Sequence, residues 1–169
     1  MTTALLITGT VGVGKTTAAE AVGDLLTERA VPHAVIDLDW LRRAWPSPPD
    51  DPFQHRLTVR NLHTVTGGFR EAGAQRLILA GVVETGTERA DYEAAVGAPL
   101  TVCRLTTDIA AVRARLHHRH PNDPDGLTWH LNRSTVLDRI LEAARIEDFT
   151  IDTTGLTPSE TARQILVHW

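Results

Sequence analysis

The chain has 169 residues, 42% of them apolar, and a formal net charge of −4. That length accommodates one domain with a full core, no apolar run approaches the ~18 residues of a membrane span, and the acidic balance argues against a general nucleic-acid binder. A single cysteine, Cys103, excludes an internal disulfide and fits a reducing cytoplasm, and the sequence opens on an apolar run rather than a basic leader, so a cytoplasmic location is expected.

Residues 4–8 read as a strand, and Gly9-Thr10-Val11-Gly12-Val13-Gly14-Lys15-Thr16-Thr17 follows it directly. An alanine-rich helix is expected over 15–29, ended by Val31-Pro32. Strand, glycine loop and helix in that order fit G-x-x-x-x-G-K-[ST], the phosphate-binding P-loop. Glycines let the backbone approach an anion and take positive φ. Successive N–H groups then form a donor nest, and the helix points its positive end at the phosphates. Lys15 is expected on the β- and γ-phosphates and Thr16 on Mg²⁺. Lys15 is also the only lysine in the chain; every other long cation is arginine. A compact ammonium, not a planar fork, is wanted there.

A second strand is expected over 33–39, next to the first, with Asp37 and Asp39 at its end. Residues two apart on a strand share a face, so both carboxylates are expected to point at the phosphates. One can hold Mg²⁺ through its water shell and the other can accept the hydroxyl proton of an acceptor; Asp37 is assigned to the metal and Asp39 to the acceptor. Residues 45–52 form a proline-rich loop, and 53–72 have helical spacing that stops at Gly73. The unbroken apolar run 76–83 reads as a buried parallel strand. A short helix over 91–95, a fourth strand over 100–105 and a helix from 107 to 118 follow, the last capped by Thr107-Asp108. After a loop at 120–126 come a helix over 127–145, a fifth strand over 149–152 and a final helix over 158–168 with Pro158 in its first turn. Alternating strands and helices predict an α/β fold: a five-stranded parallel sheet covered on both faces, three layers in all, with ligands beyond the carboxyl ends of the strands.

The P-loop followed about twenty residues on by a strand ending in D-x-D resembles the small-molecule kinases of the nucleoside-monophosphate-kinase type, which include shikimate kinase, gluconate kinase, adenylylsulfate kinase and chloramphenicol phosphotransferase. The resemblance spans most of the chain in element order and rests on the P-loop, Asp37-Leu38-Asp39, an arginine-bearing segment and Asp152-Thr153-Thr154-Gly155. It implies a single P-loop NTPase domain over 1–169, with a core at 1–112 and 146–169 and a lid at 113–135. It implies ATP and Mg²⁺ as cofactors and a small-molecule hydroxyl acceptor as partner, without nucleic acid or membrane, in a monomer or homodimer. It places Thr154 and Gly155 near the adenine, and lid arginines on the phosphates: Arg113, Arg115 and Arg119 where the lid begins and Arg133 in its second half. Arg115 and Arg119 are spaced i, i+4 and share a helix face, so they are preferred. A mobile arginine stabilises the charge on a transferring phosphoryl group.

Trp40, Trp45 and Phe53 interleave with Arg42, Arg43, Arg56 and Arg60 where substrates of that family enter. Asp39, Arg42, Arg60, Glu84 and Arg133 are the expected acceptor contacts. The chain departs from shikimate kinase after its third strand, where Ala80-Gly81-Val82-Val83-Glu84 retains one glycine of a substrate-touching triplet. No Walker B aspartate ends that strand, so Asp37 or Glu84 must serve the metal. Glu84 is either a hydrogen-bond partner for a polyol or amine or an exposed loop acid. His117, His118 and His120 with Asp123 and Asp125 lack zinc-site spacing, and Cys103 reads as a buried strand residue. A plain NTP hydrolase or switch and a nucleotide-sensing module are the competing readings. One lysine cannot supply both the P-loop and an N/T-K-x-D signature, which argues against a GTPase switch.

Overall fold

The apolar runs of the sequence become the strands of one sheet, and the amphipathic segments between them become its two covers. The computed structural model describes residues 1–169. In chain order the elements are β1 (Thr3–Gly9), α1 (Lys15–Glu28), β2 (His33–Asp37), α2 (Leu38–Leu41), α3 (His55–Glu71), β3 (Arg76–Ala80), α4 (Gly86–Val96), β4 (Leu100–Thr106), α5 (Ile109–Arg119), α6 (Pro124–Ala144), β5 (Phe149–Asp152) and α7 (Pro158–His168). The sheet is parallel throughout, ordered β2-β3-β1-β4-β5. The chain winds first to one side of β1 and then, from β4 onward, to the other. The carboxyl end of β1 is therefore the switch point at which such sheets open a crevice.

Both faces of β1 are buried, and side chains alternate between them. Leu5 and Ile7 pack with Ala18, Val22 and Leu26 of α1 and with Ala162 and Ile165 of α7. Ala4 and Leu6 pack on the opposite face with Leu62 of α3 and with Tyr92, Ala95 and Val96 of α4. The α/β class, the five parallel strands and the two helical covers agree with the expectation. No helix is long and apolar enough to cross a membrane.

Several local expectations are corrected. β2 does not adjoin β1; β3 lies between them. β2 also ends at Asp37, not at residue 39, because Asp37 turns the chain into α2. Its carboxylate accepts a hydrogen bond from the Asp39 amide at 2.8 Å, an N-cap arrangement. Asp37 and Asp39 thus do not share a strand face. β3 stops at Ala80 rather than running to residue 83. Gly81 is needed beyond it for close approach: a Cβ there would sit 2.6 Å from Leu38 Cδ1. The short helix expected over 91–95 is the end of the longer α4, whose cap, Thr85, accepts from the Glu88 amide. α6 begins at Pro124 instead of residue 127, because Asp123 accepts from the Gly126 amide and proline suits the first turn.

α6 is fastened to the sheet from below. Arg104 of β4 is buried, and its guanidinium donates to Asp138 at 3.1 Å and Glu142 at 2.9 Å, both on α6. Cys103, beside it, has no exposed surface, and burial pushes its thiol up to about 12. The thiolate is the reacting species. The native protein is therefore expected to ignore Ellman's reagent at mildly alkaline pH and to yield its thiol only in denaturant. Stoichiometric labelling of the folded protein would contradict the placement of β4 in the core.

Candidate functional site

The loop between β1 and α1 owes its shape to three glycines in the left-handed half of φ: Gly9 (φ 144), Gly12 (φ 82) and Gly14 (φ 103). Two of them also allow close packing. A Cβ on Gly9 would lie 2.6 Å from the Leu105 carbonyl oxygen, and one on Gly12 would press on Leu116 and Val112 of α5 at 3.2–3.3 Å. Gly14 caps α1 without a side-chain partner, and no acid occupies that helix's first turn. The helix N-terminus is thus left for an external anion. Thr10 ties the loop to α6 by donating to the Ser134 carbonyl at 2.5 Å. Val13 is buried in the core beneath the loop, while Val11 and Thr17 face outward into a cleft.

Lys15 folds back over the loop, donating to the carbonyls of Gly9 at 3.1 Å and Thr10 at 3.0 Å. Desolvation pulls its ammonium down to about 8; Asp39 and Asp37 oppose the shift, and Arg119 and Arg42 reinforce it. Four of the expected site residues therefore lie close enough to Lys15 to act on its charge. Thr16 Oγ1 donates to Asp37 Oδ2 at 2.8 Å. This hydroxyl and carboxylate form a hard-oxygen pair beside the loop, the donor type Mg²⁺ takes. No group of three or more His, Cys, Asp or Glu side chains forms a metal cage. Uncapped amides, a half-buried ammonium and an oxygen pair all fit a magnesium–polyphosphate group.

Two clefts meet at the loop. One, of about 460 Å³, runs from Val11, Gly14, Lys15 and Thr16 to a wall made by Asp39, Arg42, Glu84, Arg119 and Arg133. The other, of about 750 Å³, lies behind the loop between Thr17, Arg115, Arg119, Thr153 and Leu156. Arg119 borders both. Arg115 holds α5 to the loop, its guanidinium donating to the carbonyls of Val13 at 2.9 Å and Gly12 at 3.4 Å. Asp39 is ion-paired to Arg42, and Glu84 to Arg133; the Arg133 guanidinium also lies 4.9 Å over the Phe53 ring.

Some expected residues are not brought together. Arg60 is exposed on α3 and lines neither cleft. The residue of α3 that faces the first cleft is His55, and five residues of helix turn a side chain by roughly 140°. Arg113 is likewise exposed and outside both clefts. Thr154 and Gly155 flank the rear cleft without lining it. Thr154 instead accepts from the Asp108 amide at 3.1 Å, and the neighbours Thr153 and Leu156 form the wall. His117 is exposed, His118 borders the rear cleft beside Arg115 and Arg119, and His120 stacks on His130 with ring centroids 4.6 Å apart.

Sequence reasoning missed His55, Glu88, Tyr92, Trp129 and His130, all lining the first cleft. Signals existed for most. Thr85-x-x-Glu88 is a helix-start pattern that puts Glu88 and Tyr92 one turn apart on one face. Asp123-Pro124 starts α6 early and sets Trp129, Arg133 and Leu137 along one stripe. Burial, reinforced by Glu88, holds the Tyr92 phenol well above its usual range, so it is a neutral hydroxyl.

No family model and no curated protein sequence matches the chain. Solved structures match it in fold. The Deinococcus radiodurans tunicamycin resistance protein is 22% identical, over 99% of this chain and 95% of that one, with a TM-score of 0.66. A gluconokinase from Sinorhizobium meliloti is 17% identical over 98% and 90%, with a TM-score of 0.62. The APS kinase of Mycobacterium tuberculosis, solved in complex with AMPPNP and APS, is 20% identical over 98% and 96%, with a TM-score of 0.61. At these identities the likeness is one of architecture: the chain has the fold of the P-loop small-molecule kinases, a five-stranded parallel sheet between helices.

Proposed function

We propose that the protein is an ATP- and Mg²⁺-dependent kinase that moves the γ-phosphoryl group to a hydroxyl of a small molecule. The observation that carries this is the Thr16–Asp37 hydrogen bond beside Lys15, with Asp39 on the wall of the same cleft. Metal, phosphate and acceptor chemistry would then meet at one end of the sheet. A hydrolase has no need of a walled pocket on the far side of the phosphates. The neighbours named gluconokinase and APS kinase support the phosphotransferase reading through their shared architecture.

In this reading the loop amides and Lys15 hold the β- and γ-phosphates, Lys15 exchanging the carbonyls of Gly9 and Thr10 for phosphate oxygens. Thr16 and Asp37 hold Mg²⁺, which when bound neutralises charge on the phosphate oxygens. Asp39 orients the acceptor hydroxyl and takes its proton as the new oxygen–phosphorus bond forms and the bond to ADP breaks. Arg119, at the junction of the clefts, is placed to stabilise the equatorial oxygens, and Arg115 the nucleotide side. Residues 113–135 act as a lid over the core at 1–112 and 146–169, excluding water that would otherwise be phosphorylated. Thr153 and Leu156 border the nucleotide, with Thr154 and Gly155 behind them.

A coupled assay of ADP release over a panel of hydroxyl compounds tests the reading. One compound is expected to stimulate release, and Asp39→Asn to lower the stimulated rate by ~10²–10⁴ while MgATP binding persists. Stimulation by a protein and by no small molecule would replace the kinase with a switch. Thr16→Val is expected to raise the Mg²⁺ concentration needed for half-maximal rate, since it removes a hydroxyl ligand. An unchanged Mg²⁺ dependence would remove Thr16 from the metal site.

A further inference from the structure

Thr10 belongs to the glycine loop, yet it lines neither cleft. Its hydroxyl donates instead to the Ser134 carbonyl of α6 at 2.5 Å. Its own carbonyl accepts from the Lys15 ammonium at 3.0 Å and from the Val13 amide at 3.3 Å. One residue therefore holds the phosphate-seeking lysine on its backbone and a neighbouring helix on its side chain. Ser134 is buried, and a hydrogen bond shielded from water is a firmer tie than one at the surface.

Ser134 follows Arg133 in α6, and Arg133 joins that helix to other walls of the first cleft. It is ion-paired with Glu84, in the connection from β3 to α4, and its guanidinium lies 4.9 Å over the ring of Phe53, just before α3. All three side chains line the cleft. Lys15, Thr10, Ser134, Arg133 and Glu84 thus form one unbroken run of contacts from the phosphate loop to the cleft wall. Farther along α6, Asp138 and Glu142 are held separately by Arg104. A restraint that enters at Ser134 therefore acts on the half of α6 that carries Arg133. A loop gripped by a ligand loses freedom, and a helix bonded to that loop shares the loss.

We infer that Thr10 is a positioning residue that couples occupancy of the glycine loop to the setting of α6 at Arg133, so that filling the nucleotide side orders the acceptor wall. The inference rests on the kinase reading for what fills the loop. Hydrogen–deuterium exchange with saturating Mg²⁺ and the non-hydrolysable analogue AMP-PNP tests it. In the unaltered protein the analogue is expected to slow exchange of amides 127–137 at least about fivefold. Thr10→Val removes the hydroxyl and keeps the branched shape, and the bound analogue is then expected to leave those amides as they were. Thr10→Ser retains the hydroxyl and is expected to restore the slowing, which a role in packing alone would not do. Amides 138–144, held through Arg104, report on folding and are expected to exchange alike in all three proteins. Should Thr10→Val disturb them, Thr10→Ala takes its place with the same expectation. Equal slowing over 127–137 with and without the hydroxyl overturns the inference. So does no slowing in the unaltered protein when calorimetry shows the analogue bound. Absence of analogue binding to the unaltered protein overturns the kinase reading itself, and the inference with it.

Discussion

The structure depends on a backbone that can turn its amides inward between β1 and α1. Gly9, Gly12 and Gly14 take φ values closed to other residues without strain, and α1 starts with no side-chain cap. What fixes the loop in place is packing. The Leu105 carbonyl abuts Gly9, Val112 and Leu116 abut Gly12, and Arg115 clasps the carbonyls of Gly12 and Val13. The loop is therefore held between β4 and α5, and the positions of Lys15 and Thr16 follow from it. A loop of the same glycines without those neighbours would have the freedom to converge on phosphate but no preorganised reason to do so.

Charge around the loop is arranged in two zones. Near Lys15, desolvation weakens the ammonium while Asp39 and Asp37 act to restore it. Beyond Asp39, Arg42 and Arg133 are paired with Asp39 and Glu84, Arg43 stacks on Trp40, and Phe53 and Trp129 line the wall. Arg104 contributes from outside the cleft: its fork to Asp138 and Glu142 fixes the second half of α6 to β4. Buried arginine with paired acids is costly to break, so that half of the helix stays with the core.

Much of this was legible in the sequence. The P-loop, its flanking strand and helix, the parallel class of the sheet and the late strand–helix pair follow from short local patterns. The order of strands was not, because β3 inserts between β1 and β2 through contacts distant in sequence. The phase of Asp37 and Asp39 failed for a local reason: the aspartate that ends β2 is also the cap of α2, so the strand period no longer applies at residue 39. Arg60 lines neither cleft because of helix phase, since the start of α3 at His55 was not located. Glu88 and Tyr92 stayed hidden behind a missed capping pattern at Thr85. Ion pairs such as Arg133–Glu84 join residues 49 apart, and no spacing rule announces them.

The central claim is that the glycine loop and Lys15 grip a polyphosphate whose metal is shared with Thr16 and Asp37. Isothermal titration of MgATP into the protein and into Lys15→Ala tests it most directly. The account predicts saturable heat at one site per chain for the unaltered protein, and at least a hundredfold weaker binding, on the order of 3 kcal/mol, for the variant. Equal affinity in the two proteins, or no heat in either, would contradict it.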